Sequence, residues 1–205
     1  MGIYYMIVNV DKKEALSSHD FKYGAKMAEW CYHYEKPVLA LHNLLAGRWK
    51  GDRVYVFADE LGDVDDEYSD ALNYARKVFG VRNVTSSANT HCKWLQPDEV
   101  DIEDHGLRYI YNHALKTFID LKHCPDDDEY IAPLPLLIAI GHDGRGGGNF
   151  DFDDDEDMVD AVGSWCDSVQ SIEIRKEPLE GVDYEEFRPN FSEFGLIEDE
   201  DEDEE

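Results

Sequence analysis

The sequence predicts an α+β fold, a mixed sheet with packed helices. Three observations carry that expectation. Short segments rich in β-branched and aromatic residues occur at 3–10, 54–58 and 168–175. Segments with apolar residues at helical spacing occur at 37–46, 63–79 and 104–122. The two kinds are interleaved without the strict strand–helix–strand alternation of a parallel sheet.

Taken in order, Ile3-Tyr-Tyr-Met-Ile-Val-Asn-Val10 reads as a buried strand, followed by the turn Asp11-Lys-Lys-Glu14. Ser17-Ser-His-Asp20 offers N-cap residues for 22–34, where Tyr23, Met27, Trp30 and Tyr34 fall near helical spacing and predict a helix with an aromatic face. Pro37 opens and Gly47 stops a short helix over 37–46. Val54 to Ala58 is a strand. Asp63 to Phe79 reads as a helix, with acidic residues in its first turn and Arg76 and Lys77 near its end, as the macrodipole favours. Residues 81–90 form a polar loop, and 93–102 carry no clear period.

Leu107, Ile110, Tyr111, Ala114, Leu115, Phe118, Ile119 and Leu121 predict the clearest helix of the chain, over 104–122, ended by Pro125. Asp126 to Glu129 is an acidic loop. Ser168 to Arg175 alternates as a strand does, and 182–187 suggests one helical turn. The expected organisation is one domain over 1–197, with 198–205 as a disordered acidic tail.

Two stretches echo each other. At 37–68 and at 133–187 the order is apolar run, Gly-x-Trp, strand, acidic turn with an aromatic. The Gly-x-Trp elements are Gly47-Arg-Trp49 and Gly163-Ser-Trp165. Either a helix–strand unit has been duplicated or two such units resemble each other by chance. The second stretch also carries a glycine-rich turn, Gly141 to Gly148, and an acidic run, Asp151 to Asp157.

Charge dominates the composition. Nineteen Lys and Arg face 47 Asp and Glu, and removing the eight acidic residues Glu198 to Glu205 takes the formal charge from −28 only to −20. Such a surface repels nucleic acid and anionic membranes and attracts basic partners. Solubility alone, or a salt-adapted host, is the competing explanation. No apolar run approaches the ~20 residues that span a bilayer, and the N-terminal strand lacks the basic leading region of a signal peptide. Cys31, Cys92, Cys124 and Cys166 are widely spaced, which suits reduced thiols in the cytoplasm.

Candidate chemistry is sparse. Gly141-His-Asp-Gly-Arg-Gly-Gly-Gly148 lacks the Gly-Lys-Ser/Thr of a P-loop, and the acidic run after it would repel phosphate, so nucleotide binding is disfavoured. Asp151, Asp153 and Asp155 alternate like the start of a calcium loop and are weak candidates for Ca²⁺ or Mg²⁺. Glu156 and Val162 stand where an EF-hand needs Gly and Glu. His91-Cys92, His123-Cys124 and Cys31-Tyr-His33 supply zinc-type ligands without the tight knuckle spacing of structural zinc. No nucleophile signature is present, and no catalytic residue is assigned.

The segments Met1-Gly-Ile-Tyr-Tyr-Met-Ile-Val-Asn-Val-Asp-Lys-Lys-Glu14, Ser18-His-Asp-Phe21, Gly47-Arg-Trp-Lys-Gly-Asp-Arg-Val54 and Gly144-Arg-Gly-Gly-Gly148 are similar to a family of uncharacterised bacterial and viral proteins. The resemblance touches about a third of the chain, and Asn149 stands where that family has Asp after the glycines. The family has no established activity, so the resemblance implies only an intracellular, phage-related setting.

The reading that follows is a non-enzymatic acidic protein acting on a basic protein surface, as a DNA-mimic inhibitor of a nucleic-acid-binding partner would, in phage counter-defence or host takeover. It makes no direct contact with nucleic acid or membrane. Its expected contact residues are Asp126, Asp127, Asp128, Asp151, Asp153, Asp154, Asp155 and Asp157. The alternatives are a divalent-cation-dependent enzyme or binding protein using 141–157, and a salt-adapted domain whose charge has no specific partner.

Overall fold

In a computed structural model, residues 4–32, 34–58, 91–124, 132–140, 162–166 and 170–188 are described. They form an α+β arrangement of two sheets and few helices. The first sheet is built on β1 (Tyr5–Asn9) and β3 (Val54–Ala58), each buried along its whole length. Both are mostly β-branched or aromatic and buried on successive positions, the pattern of a strand covered on both faces. They pair antiparallel with Ile7 opposite Val56. β2 (Glu14–Leu16) pairs antiparallel with β1 on the other side. β4 (Lys93–Trp94) and β7 (Ala139–Ile140) add parallel edges, giving the order β4-β2-β1-β3-β7. The second sheet has the order β8-β5-β6-β9, from β5 (Tyr109–Asn112), β6 (Thr117–Asp120), β8 (Ile172–Arg175) and β9 (Glu185–Glu186).

The two hairpins use one device. The Asn9 carboxamide oxygen accepts from the backbone N–H groups of Asp11 and Lys12 at 3.1 and 2.9 Å, and Lys13 takes a left-handed φ of 55°. The Asn112 oxygen accepts from Ala114 and Leu115 at 3.1 and 3.3 Å, and Lys116 has φ 54°. A short side-chain amide that mimics the backbone folds the chain back in each case.

α1 (Lys36–Ala46) carries Pro37 in its first turn, where its fixed φ suits the helix, and buries Val38, Ala40, Leu41, Leu44 and Leu45. One apolar cluster includes Leu41 and Leu45 of α1, Ile7 and Val56 of the first sheet, and Ile110, Ile119 and Ile174 of the second. Trp30, Trp49 and Trp165 are among its largest fully buried side chains. A buried Gln170 joins the two halves. Its oxygen accepts from Val54 N–H at 2.5 Å and its amide donates to the Trp165 carbonyl at 3.1 Å.

The strand at 3–10, the helix at 37–46 with its stop at Gly47, and the strand at 54–58 stand where the sequence puts them. The helix expected over 104–122 is instead the β5–β6 hairpin, with Ile110 opposite Ile119. Pairs of apolar residues three or four apart fit a helix, but here they are reached by folding two short strands across a turn. The helix expected over 22–34 is reduced to one 3₁₀ turn, Ala28–Trp30. The left-handed Lys22 (φ 67°) breaks the chain before it, and Tyr34 lies 67 % exposed. The turn expected at 182–187 is extended as β9, parallel to β6.

The two repeat-like units take different local forms. In the first, the apolar run is the eleven-residue α1. In the second, the run forms one helical turn, α2 (Leu134–Leu137), and continues as β7. Both Gly-x-Trp indoles are core anchors, while β3 and β8 lie in different sheets. The expected helix over 63–79 lies outside the described residues.

Candidate functional site

The eight aspartates named above as contact residues, Asp126 to Asp128 and Asp151 to Asp157, lie outside the described residues, as do the glycine turn 141–148 and the acidic tail. What the described residues do show is how charge is distributed around them. All five arginines in this set are engaged in ion pairs: Arg48 with Glu14, Arg53 with Asp11, Arg108 with Asp120, Arg175 with Glu173 and Arg188 with Glu186. Lys12, Lys50 and Lys93 pair with Asp52, Glu173 and Glu99.

Several of these acids are buried and hold structure together. Glu14 accepts from the indole N–H of Trp49 at 2.7 Å as well as from Arg48. Burial would raise the Asp120 carboxyl, but the Arg108 fork and the Lys122 backbone N–H hold it below the usual aspartate range. By contrast Asp98, Glu103, Asp104, Glu180, Asp183 and Glu185 are exposed, and none has a cationic partner among the described residues. These acids sit on two segments, the loop before β5 and the stretch from β8 to β9.

The cysteines are not poised for chemistry. Burial pushes the thiols of Cys31 and Cys166 up, and burial with the Asp120 and Glu186 carboxylates beside it raises Cys124 to about 12. Burial also raises Cys92, opposed by Lys13. Among the described residues no three His, Cys, Asp or Glu side chains are gathered so as to hold a metal ion. His33 of the zinc-type set lies outside them. His123 is turned to Glu186 and Asp120, not to Cys124.

A polar cluster on the second sheet was not anticipated from the sequence. Glu173 of β8, 5 % exposed, accepts from Lys50 Nζ at 2.8 Å, Arg175 Nη1 at 2.7 Å and His113 Nε2 at 3.0 Å. Burial opposes its ionisation, but these three donors hold the carboxyl below the usual glutamate range. The other ring nitrogen of His113, Nδ1, lies 2.9 Å from the Tyr184 hydroxyl. Tyr111 stacks on the imidazole at 6.1 Å between ring centres and 10° between planes, and its hydroxyl accepts from Leu179 N–H at 2.9 Å. Tyr184 stands edge-on to both rings. These residues are separated by up to 134 positions, so no local motif could reveal them. The one available signal is the glutamate amid Ile172-Glu-Ile-Arg175, where an inward carboxylate calls for a cationic partner.

No family model matches the chain, and no match to it is found among curated proteins or solved structures. None of the described helices is long and apolar enough to cross a membrane.

Proposed function

We propose that the chain acts by presenting carboxylates to a basic protein surface, as a DNA-mimic inhibitor presents them to a nucleic-acid-binding cleft. The observation that supports this reading is the excess of 47 Asp and Glu over 19 Lys and Arg in the whole chain. The arginines of the described residues are spent on internal pairs, whereas Asp98, Glu103, Asp104, Glu180, Asp183 and Glu185 face solvent without a counter-cation there. Free carboxylates on such a surface substitute for DNA phosphates, and the partner binds them with the same strong dependence on salt. The setting that fits is the cytoplasm of a host cell during phage counter-defence or takeover. In sequence the excess extends to Asp126–Asp128 and Asp151–Asp157.

A tagged chain incubated with host lysate and washed at low and at roughly 0.5 M salt, where screening is short-ranged, tests the reading. A nucleic-acid-binding protein should be retained at low salt, released at high salt, and displaced by duplex DNA. Capture that survives high salt, or that duplex DNA does not disturb, would overturn the mimic reading. In the Asp153→Asn, Asp154→Asn, Asp155→Asn triple variant, competition with DNA should weaken.

A further inference from the structure

We propose that Glu173, His113 and Tyr184 form a proton relay that makes the Tyr184 phenol a nucleophile toward uncharged activated acyl groups. The argument starts from Glu173. Its carboxyl is 5 % exposed and surrounded by Lys50, Arg175 and His113, so it is ionised and can only accept hydrogen bonds. The His113 Nε2 that faces it at 3.0 Å therefore carries the proton. A neutral imidazole with its proton on Nε2 has a bare lone pair on Nδ1. In that neutral form the lone pair faces the Tyr184 hydroxyl at 2.9 Å, so that Tyr184 donates and His113 accepts.

The order carboxylate, imidazole, hydroxyl is the logic by which a buried acid orients a base and the base activates a nucleophile. The imidazole has little freedom to leave this geometry, because Tyr111 stacks on one face and Tyr184 closes its edge. Glu173 acts through His113 and is a positioning residue. Tyr184 is partly exposed.

The same surroundings select the electrophile. Lys50 and Arg175 share the Glu173 carboxylate, and the segment that carries Tyr184 also carries the carboxylates Glu180, Asp183, Glu185 and Glu186. A phosphate ester would be repelled, so an uncharged acyl ester is the fitting class. In the step, the Tyr184 oxygen bonds to the acyl carbon and its proton passes to His113 Nδ1. The bond to the leaving alkoxide or phenoxide breaks, and that oxygen takes the proton from Nδ1. The products are an acylated Tyr184 and a free alcohol, with Nε2–H retained on Glu173 throughout.

The test treats the full chain with p-nitrophenyl acetate and follows acetylation of each tyrosine by peptide mass spectrometry. Tyr34, at 67 % exposure, is the internal reference. Tyr184 should acetylate at least about tenfold faster than Tyr34, within what a positioned base contributes. His113→Ala should reduce Tyr184 to the Tyr34 rate, and added imidazole should restore it. Tyr184→Phe should abolish the fast acetylation even if His113→Ala fails to fold. Ring ¹⁵N shifts of His113 should report the Nε2–H form in the native chain and a tautomer mixture in Glu173→Gln. A Tyr184 that reacts no faster than Tyr34, a rate indifferent to His113→Ala or not restored by imidazole, or an Nδ1–H tautomer in the native chain, would overturn the proposal.

Discussion

Replacing Gly163 by alanine should destabilise the chain well beyond the same change at Gly106. Both glycines have left-handed backbone, φ 72° and 66°, so alanine costs each about 1–2 kcal/mol from backbone strain. The surroundings then separate them. A Cβ at Gly106 would meet nothing within 4 Å, whereas at Gly163 it would stand 2.8 Å from the carbonyl oxygen of Ala139. That oxygen belongs to the β7 backbone, which is held in register with Val56 and Phe57 and cannot swing aside as a side chain would. The Gly163 N–H also donates to the Leu136 carbonyl at 2.9 Å, and Trp165 N–H to the Leu137 carbonyl at 2.9 Å, so the turn cannot back away freely. Overpacking of this kind adds about 1–3 kcal/mol. Urea unfolding of both variants, with the slope m checked against the parent, measures the difference. If the two midpoints fall by the same amount, the close approach at Ala139 carries no energy and the reasoning is refuted.

Other outcomes follow from the polar contacts. Trp49→Phe should cost about 1–3 kcal/mol, because it leaves the buried Glu14 carboxylate without the indole donor at 2.7 Å; chemical denaturation against the parent measures it. Glu173 is held below the ordinary glutamate value of 4.5, so the stability it supplies is complete above that value and is lost as pH falls through the depressed one. Thermal unfolding from pH 6 down to pH 3 should show this fall, and Glu173→Gln should flatten it. With an aromatic disulfide reagent at neutral pH, the half-buried Cys92 should react first. The buried Cys31 and Cys124 should react only as the chain unfolds, as timed absorbance with peptide mapping would report.

The parts of the fold that were legible in the sequence are those with one dominant local signal. Val54-Tyr-Val-Phe57 is β-branched and aromatic throughout, and the helix over 36–46 is framed by Pro37 and Gly47. The hairpin at 109–120 was misread because apolar pairs at 110–111, 114–115 and 118–119 satisfy a helical period while Tyr-Ile-Tyr and Thr-Phe-Ile favour strands. The deciding cue is Asn112 followed four residues later by Lys116, which repeats the Asn9 and Lys13 pattern of the first hairpin. The excess of carboxylates is legible from composition alone, while the eight aspartates expected to use it lie outside the described residues. The Glu173 cluster was not, because it joins residues from a turn after α1, the β5 end, β8 and the segment before β9.

The reach of those contacts along the chain bears on how the protein is made. β1 and β3 complete their sheet only when Ala139 and Ile140 pair with Val56 and Phe57, and the Val54 N–H waits for Gln170. During synthesis, the edge of β3 therefore stays open until β7 has emerged, and the Val54 N–H stays unsatisfied until Gln170, 116 positions on, has followed. Folding should be slow and largely post-translational.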